Sequence, residues 1–367
     1  MRILLVGPSP EVPGGIGSWI RLILAHPIGG IEYVPVHTLT PDTAMADFRS
    51  RFGPPITRLA KNFLQMMRVL HRLPRLVHEN AVAGAHIHFS SRGSFQRKRL
   101  VADRLSKLAT PYVLHAHSGG FDVYYERTSQ KNKERIVKFI NSPVGFISLA
   151  HFWQAFYERL MTPPKPKLYV MPNPVVLPEV VPEREGNSCL RLIFLGRMGE
   201  HKGSDRVLRA MAQLPAPVRN RVEAWFAGDG DIEGMHRLAQ ELGLEGQVYI
   251  SGWIGVEERN RWLAEADCLI LPSRAEGMPM TILEALAWGL PVISSPVGGI
   301  PEVVRQGQEG IFVESDDISA ISEAIRFMVE HPEERLRMGH NARQRAHEFA
   351  LPEYRRKLRD IYVELFG

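Results

Sequence analysis

Short apolar runs alternate along the chain with segments in which apolar residues recur every three or four positions. The runs predict one series of β-strands at 2–7, 33–37, 85–89, 112–117, 144–148 and 168–171, and a second series at 190–195, 222–227, 247–251, 267–271, 291–294 and 311–313. The intervening segments predict helices at 56–78, 95–109, 203–213, 256–266, 280–288 and 317–330. Strands that alternate with helices indicate parallel sheets assembled from βαβ units.

The two series of strands are separated by residues 173–188, a stretch rich in Pro and Glu that has no periodicity and is typical of a linker. The 367 residues suffice for two domains with separate cores. We predict Rossmann-like, doubly wound parallel-sheet domains over 1–172 and 189–345. A C-terminal segment, 346–367, is predicted to form a helix that packs back on the N-terminal domain through Tyr354, Leu358, Ile361 and Leu365. Functional loops of such sheets follow the carboxyl ends of the strands, so two facing domains would line an interdomain cleft.

Composition and charge narrow the class of protein. No apolar run reaches the length of about 18 residues that a membrane span needs, and the N-terminus resembles a strand more than a signal peptide. Cys189 and Cys268 lie in strand-like runs and are expected to be buried, which fits a reducing cytoplasm. The segment from residue 49 to residue 107 contains thirteen Lys and Arg residues but only two acidic residues, which gives it a net charge of +11. This excess indicates an anionic partner such as phospholipid, nucleic acid or a phosphorylated substrate, or else a solvated basic face.

Two motifs follow strands of the first series. Gly14, Gly15 and Gly17 precede an apolar helix, where an anion can approach backbone N–H groups, although a plain tight turn explains them equally well. His115 and His117 alternate within a strand and so share one face, with Asp122 nearby. No third ligand appears at a metal-binding spacing, so we expect no metal there and a hydrogen bond from His117 to a substrate hydroxyl instead.

Two further motifs follow strands of the second series. In "GRMGEHKGSD", Arg197 and Lys202 flank a loop that opens a helix, and two cations at a helix N-terminus suit a diphosphate without a divalent metal. In "EGMPMTILE", Glu276 is predicted to lie in a loop and Glu284 in about the first turn of the next helix, which begins near Met280. Two carboxylates and nearby backbone N–H groups suit a ligand rich in hydroxyl groups, such as a sugar and a ribose. Locally, Thr281 and Glu284 fit a capping box equally well.

The combination of these motifs resembles the GT-B glycosyltransferases of family four, the group 1 retaining transferases. "GRMGEHKG", followed about 70 residues later by "EGMPMTILEALAWGLPVISSPVGGIPEVV", carries the resemblance over roughly residues 190–330. In the first domain, "GGIG", "HAHSGGFDVYYER" and "MPNPV" are similar to the family's Gly-rich loop, strand-end histidine and pre-linker Asn. The first domain also looks like that of enzymes that extend lipid-linked oligosaccharides for bacterial surface polysaccharide. The family often has Asn-Gly where this chain has Asn173–Pro174, which leaves the role of Asn173 open.

The resemblance implies a role for each matching residue. Arg197 and Lys202 would bind the donor diphosphate and stabilise the leaving group, which is electrostatic stabilisation in place of Mg²⁺. Glu276, with the amides of Gly277 and Met278, would hold the transferred sugar, and His117 would contact that sugar from the other domain. The remaining donor-side residues are Glu284 at the ribose, Trp253 and Ile254 at the base, Gly15 and Gly17 at the diphosphate, and Pro279, Met280 and Thr281. The acceptor-side residues are Gly14, His115 and Asp122.

The implied activity is transfer of a sugar from a UDP- or GDP-sugar to a lipid-linked oligosaccharide, with retention of configuration and with neither a metal nor a cofactor. Such an enzyme would be cytoplasmic and peripheral to the anionic inner face of a membrane, and it would not bind nucleic acid. Three alternatives remain at this stage: the same chemistry on a soluble small molecule, a nucleotide-sugar epimerase or phosphorylase of the same fold, and a non-catalytic basic binding module.

Overall fold

The chain folds into two compact units. A computed structural model describes residues 1–41, 55–184 and 189–367, without the side chains of 55–59. The first unit comprises Met1–Pro172 together with Pro352–Gly367, and the second comprises Asn173–Leu351. Among the described residues, no helix combines the length and the apolar character needed to cross a bilayer.

The first unit contains a six-stranded parallel sheet in the order β2-β1-β3-β4-β5-β6. Its strands are β1 (Arg2–Pro8), β2 (Glu32–Leu39), β3 (Gly84–Phe89), β4 (Tyr112–Ala116), β5 (Gly145–Ser148) and β6 (Lys167–Val170). Its described helices include α1 (Gly15–Ala25), α2 (Pro55–Glu79), α3 (Gly93–Lys107), α4 (Phe121–Arg127), α5 (Gln130–Ile140) and α6 (His151–Glu158). The central strands β3 and β4 are buried along their whole length, as expected for a parallel sheet covered on both faces.

The second unit repeats this architecture, with the strand order β12-β11-β10-β7-β8-β9. Its strands are β7 (Leu190–Leu195), β8 (Val222–Ala227), β9 (Val248–Ser251), β10 (Cys268–Leu271), β11 (Val292–Ser294) and β12 (Gly310–Phe312). Its helices include α7 (Ser204–Gln213), α8 (Ala216–Arg219), α9 (Ile232–Glu241), α10 (Val256–Glu265), α11 (Met280–Ala287), α12 (Ile318–Glu330) and α13 (Pro332–Ala346). The chain runs outward from β7 in one direction and from β10 in the other, so a topological switch point lies between these two neighbouring strands.

All twelve predicted strands and all six predicted helices are present, with ends within about two residues of the prediction. The prediction of two doubly wound α/β units is therefore confirmed. Several helices were not predicted, and α13 is one of them: its buried face consists of Arg335, Met338, Gly339, Ala342 and Ala346. An arginine and small residues produce no hydrophobic stripe in the sequence. Cys268 is buried as expected, but Cys189 is exposed because it precedes β7 rather than lying within it.

The final helix, α14 (Leu351–Phe366), starts later than the predicted segment, because residues 347–349 form a separate 3₁₀ turn. Three of its four predicted contact residues are buried, and Leu365 is half-buried. Its tyrosines reach into the first unit: the indole Nε1 of Trp19 donates to the Tyr354 hydroxyl at 2.9 Å. Tyr362, which was not among the predicted contact residues, is also fully buried. The last helix therefore completes the core of the first unit.

Residues 173–184 of the predicted linker pack on the second unit instead of forming a free connector. Arg184 donates to the carbonyl oxygens of Leu263, Ala266 and Trp288, at the C-terminal ends of α10 and α11. A guanidinium group there satisfies carbonyls that the helices leave unpaired. The rest of the predicted linker, residues 185–188, lies outside the described part of the chain.

Candidate functional site

The loops that follow β7, β8 and β9 are joined at the carboxyl edge of the second sheet. The amide of Met198 donates to the Asp229 carbonyl at 2.6 Å, and the amide of Gly228 donates to the Gly252 carbonyl at 3.1 Å. Gly228 has φ 153°, and a Cβ there would lie 1.9 Å from the Gly196 carbonyl oxygen, so a larger residue cannot occupy this position. The predicted strand-end loops therefore form one continuous edge.

Arg197 and Lys202 lie in the loop after β7. Arg197 is exposed, and its guanidinium group contacts the Asp229 carboxylate at 3.2 Å. The loop ends at Gly203, which has φ 83° and precedes the first residue of α7; a Cβ on it would lie 2.5 Å from the Pro272 carbonyl oxygen. Arg206 donates to the same oxygen at 3.1 Å. The Lys202 loop is thus held against the end of β10.

Lys202 and Glu276 meet at the switch point between β7 and β10. The Lys202 ammonium donates to Glu276 Oε1 at 2.5 Å, and the Ser273 hydroxyl donates to the same oxygen at 2.8 Å. The Glu276 side chain is 7% exposed and that of Lys202 is 24% exposed. Two residues 74 positions apart are therefore brought into one site. Ser273 was not predicted, because a serine at a strand end has no distinctive spacing.

The first two carbonyl groups of the loop from Gly277 to Pro279 both accept hydrogen bonds, which hold the loop in place. The Gly277 carbonyl accepts from the Gly299 amide at 2.9 Å, and the Met278 carbonyl accepts from Asn173 Nδ2 at 2.8 Å. In a planar trans peptide the N–H points away from the C=O, so the first bond fixes the direction of the Met278 N–H. The Met278 side chain itself is buried. Asn173, whose role was open, therefore orients the loop predicted to hold the transferred sugar.

Glu284 is the fifth residue of α11, just past the first turn and close to its predicted position, and its carboxylate pairs with Arg259 of α10 at 2.8 Å. The N-cap of α11 is Pro279, and no side-chain hydrogen bond caps this helix. The capping-box alternative with Thr281 is therefore not what the structure contains. Burial raises the pKa of Glu284, while the charge of Arg259 acts in the opposite direction. Arg259 was missed because nothing in the sequence connects it with Glu284.

The other predicted donor-side residues surround the same edge. Trp253 and Ile254 lie in the loop between β9 and α10, and Trp253 is 52% exposed. Met280 and Thr281 are the first two residues of α11 and are half-buried, like Pro279 before them. A large aromatic side chain left in solvent beside a polar site provides a surface on which a planar ligand can stack.

In the first unit, the predicted glycines follow β1. Gly14 has φ 125° and precedes α1, and both Gly14 and Gly15 are exposed with open space around them. Gly17 is different: it is buried, and a Cβ there would lie 2.2 Å from the Val12 carbonyl oxygen. The absence of a side chain at Gly17 is thus required by packing within the loop, whereas Gly14 and Gly15 offer backbone to solvent.

Four histidines on β3 and β4 form what we call the histidine stack: His86, His88, His115 and His117. His88 lies opposite His115 in the parallel register, and alternate residues of each strand share one face. His86 and His88 were not predicted, because the sequence does not show this register. Nδ1 of His86 contacts the Tyr362 hydroxyl at 2.6 Å, His86 Nε2 contacts His115 Nδ1 at 3.1 Å, and His88 Nδ1 contacts His117 Nε2 at 2.9 Å.

The rings of the histidine stack are uncharged. His86, His88 and His115 have no exposed surface, and burial lowers the pKa of each well below the usual value, with smaller contributions from neighbouring imidazoles. Burial lowers the pKa of His117, the partly exposed member, to about 3. His115 therefore lies inside the stack and has no surface for the acceptor contact expected of it, whereas His117 reaches the surface.

The stack also offers nitrogen atoms to a metal, since His86, His88 and His115 each have one within 4.8 Å of the others. However, the His86 ring is stacked at 21° on both His88 and His115, and both of its nitrogens take part in hydrogen bonds. Nearly parallel rings do not direct their lone pairs to one point, as a tetrahedral site requires. We therefore interpret the stack as a hydrogen-bonded network.

The basic segment between residues 49 and 107 is not exposed along its whole described length. Lys98 on α3 is 1% exposed, and its ammonium donates to the Thr38 hydroxyl at 2.5 Å. Burial lowers the pKa of Lys98 well below its usual value. Arg49 and Arg51 lie outside the described residues. The remaining predicted residue, Asp122, is half-buried in the first turn of α4.

Comparison with known proteins identifies the second unit. The model of the family "Glycosyl transferases group 1" matches residues 184–345, which include Arg197, Lys202, Glu276 and Glu284. This segment belongs to the group 1 glycosyl transferases. The chain is also similar to a lipopolysaccharide core biosynthesis glycosyltransferase of Rhizobium meliloti, with 31% identity over 178 residues. That match covers 48% of this chain and 49% of the relative, so the chain spans about half the length of the protein it matches.

Solved structures extend the likeness to the whole fold. A sucrose-phosphate synthase from Thermosynechococcus elongatus superimposes with a TM-score of 0.78 and 20% identity, covering 100% of this chain and 99% of that one. HepE of Anabaena, solved in complex with UDP-glucose, gives a TM-score of 0.73 and 18% identity, with both chains covered completely. The chain therefore has the GT-B fold, with the group 1 segment forming most of its second unit.

Proposed function

We propose that this protein is a retaining, metal-independent hexosyltransferase of family four that takes its sugar from a nucleoside diphosphate. The observation that carries the proposal is the contact between Lys202 and the buried Glu276 at the switch point of the second sheet, within the group 1 segment. The UDP-glucose complex of the similar HepE supports a nucleotide-sugar donor.

In the proposed reaction, the ammonium of Lys202 and the guanidinium of Arg197 bind the donor diphosphate. The bond between the anomeric carbon and the phosphate oxygen breaks, and the acceptor hydroxyl oxygen bonds to that carbon on the same face. The hydroxyl proton passes to the departing phosphate oxygen. Negative charge that develops on the diphosphate is stabilised by the two cations, which is the task a divalent metal performs in other transferases. Glu276 and the Met278 N–H hold the hydroxyls of the transferred sugar.

The nucleoside is assigned to the region around α10 and α11. The Glu284 carboxylate is held by Arg259 and can still accept hydrogen bonds from ribose hydroxyls, since an ionised carboxylate has about four acceptor sites. The exposed Trp253 and its neighbour Ile254 would border the base. His117, at the end of β4, would donate or accept a hydrogen bond to the sugar as a neutral imidazole.

A panel of nucleoside diphosphates in a thermal-shift assay tests donor binding, because a ligand that binds only the folded state raises Tm. We expect UDP or GDP to raise Tm with EDTA present. Lys202→Ala and Glu276→Ala are expected to abolish transfer while retaining the fold, and Arg261→Ala, which removes an exposed cation of α10, is the matched control. Full transfer by Lys202→Ala and Glu276→Ala, or complete dependence on a divalent metal, would refute this site.

For the acceptor, we propose a lipid-linked oligosaccharide at an anionic membrane surface on the cytoplasmic side. Helix α2 supports this, because it has two apolar faces. Met66, Val69, Leu73 and Val77 are buried, as expected for its core-facing stripe. Phe63, Leu64 and Met67 are instead 64%, 53% and 48% exposed.

Basic residues border this exposed apolar face of α2. Lys61, Arg68, Arg72 and Arg75 are all exposed and lie on one side of it at helical spacing. An apolar stripe beside a row of cations is typical of a helix that lies in the headgroup region of an anionic bilayer. Each cation contributes about 1 kcal/mol near such a surface.

Cosedimentation with vesicles tests the membrane assignment. The protein is expected to bind phosphatidylglycerol vesicles more strongly than phosphatidylcholine vesicles, and serine substitution of Phe63, Leu64 and Met67 together is expected to abolish this preference. Val363→Ser removes a comparably exposed apolar side chain from α14 and serves as the control. Equal binding to both vesicles, or no effect of the triple substitution, contradicts the assignment and favours a soluble acceptor.

A further inference from the structure

A cavity of about 650 Å³ opens within the first unit, between α4 and α6. Its volume is within the range of small-molecule sites. It is lined by Asp122, Phe152, Ala155, Phe156, Glu158, Arg159 and Lys165. Of these residues, only Asp122 has been given a role above, as a residue on the acceptor side.

The cavity begins at the functional edge of the first sheet. Helix α4 follows β4 and helix α6 follows β5, and these two strands are parallel neighbours. The N-terminal turns of both helices therefore lie at the carboxyl edge, where His117 also lies. Only five positions separate Asp122 from His117 in the chain. The end of the cavity at Asp122 therefore lies at the same edge of the sheet as the predicted sugar-contacting histidine.

One wall of the cavity is aromatic. Phe152 is 53% exposed, although it packs edge-on against the buried Trp153 at 5.0 Å between ring centroids. Phe156 lies one turn further along α6 and is almost completely buried. A phenylalanine that leaves half its surface in water forgoes much of its burial free energy, and a ligand with an apolar face can recover it.

The opposite wall is polar and contains an acid that has no partner among the described residues. No hydrogen bond or ion pair joins the Asp122 carboxylate to any other residue in the described part of the chain. The hydroxyl of Tyr157, in α6, is buried and likewise has no hydrogen-bond partner among those residues. The charge of Asp122 adds to the effect of burial in raising the pKa of Tyr157, so the two groups are close enough to interact. A half-buried carboxylate that has only water as a partner can accept a hydrogen bond from a ligand.

The remaining charges balance. Glu158 pairs with Lys165 at 3.1 Å, and the Arg159 guanidinium lies over the Phe156 ring at 5.8 Å from its centroid. With Asp122, the lining thus has two acidic and two basic side chains and no net charge. A phosphate or other anion gains little from such a lining, whereas a neutral molecule gains from both the aromatic face and the free carboxylate.

We propose that this cavity is a carbohydrate subsite that binds a neutral sugar residue of the acceptor, with the sugar's apolar face on Phe152 and a hydroxyl donating to Asp122. This proposal rests on the proposed function, because it identifies where the acceptor oligosaccharide is held. It adds a second point of attachment beyond the hydroxyl that reacts. The sugar residue that stacks on Phe152 determines which acceptor the protein binds, and it does not take part in bond formation.

Saturation-transfer NMR with the p-nitrophenyl glycosides of glucose, galactose, mannose and N-acetylglucosamine tests the subsite without requiring turnover. At least one glycoside is expected to receive saturation on its sugar protons. Its affinity should fall about tenfold in Phe152→Ala, which corresponds to the upper range of an aromatic contact, and similarly in Asp122→Asn. Val123→Ala and Glu134→Gln, exposed residues outside the cavity, are the matched controls and should bind normally.

The variant Glu276→Ala distinguishes binding in the cavity from binding at the donor site. It should leave glycoside binding through Phe152 unchanged. If no glycoside binds, or if Phe152→Ala and Asp122→Asn bind as the wild type does, the subsite is refuted even when UDP or GDP still raises Tm. If instead no nucleotide raises Tm but a glycoside binds in a Phe152-dependent manner, the transferase proposal fails and the carbohydrate subsite stands.

Discussion

Acidification should destabilise the first unit well before the second, because the histidine stack holds its imidazoles neutral. Above the unfolded-state pKa of about 6.5 both folded and unfolded chains carry neutral imidazoles, and stability is complete. Below it the unfolded chain takes up protons that the buried rings cannot, so stability falls as pH falls. From pH 7 to pH 5.5 each fully buried ring loses slightly more than 1 kcal/mol, or about 4 kcal/mol for His86, His88 and His115 together.

This loss is a large share of the 5–15 kcal/mol that typically stabilises a folded domain. Hydrogen exchange read by mass spectrometry measures it locally, and peptides from β7 and β8 serve as an internal reference. Once the chemical exchange rate is corrected for pH, protection of β3 and β4 should fall selectively by pH 5.5. His88→Asn should reduce that pH dependence by about one third, since one of three buried rings is removed, while the exposed His78→Asn should leave it unchanged. Equal loss of protection in both units would refute the reasoning.

Three further substitutions test individual contacts. Asn173→Ala removes the hydrogen bond to the Met278 carbonyl. It is expected to weaken nucleotide-sugar binding about tenfold, which corresponds to one hydrogen bond. An unchanged affinity in calorimetry contradicts this. Gly203→Ala should lower the urea midpoint of the second unit more than Gly243→Ala, because both have positive φ but only Gly203 abuts a backbone carbonyl; equal losses contradict it. Tyr362→Phe leaves the His86 ring without its hydroxyl partner and should destabilise the first unit by about 1–3 kcal/mol; wild-type exchange protection of β3 would contradict that.

The strands could be predicted from sequence because parallel strands covered on both faces are continuous apolar runs. Helix α13 could not, since it buries an arginine and small residues that resemble a polar segment. The position of Arg184 could not be predicted either, because its partners are backbone carbonyl groups. Every residue has such a group, so the sequence does not show which ones Arg184 binds.

The functional residues divide in a similar way. Lys202 and Glu276 could be predicted because each lies in a short motif at a strand end, even though their contact could not. Arg259, Ser273 and His86 were missed because their significance depends on a partner from another element. Strand register and helix packing determine those partners, and neither can be read from local spacing.

The packing of α14 on the first unit has a consequence for the order of events during synthesis. The second unit is one continuous stretch, Asn173–Leu351, and is complete as soon as it has left the ribosome. The first unit, although most of it is made first, lacks Tyr354 and Tyr362 until residues 352–367 are translated. His86 and its partner Tyr362 are 276 positions apart, so at about 5–20 residues per second His86 waits roughly 14–55 seconds for that hydroxyl. The first unit is therefore completed after the second, although most of its residues are synthesised earlier.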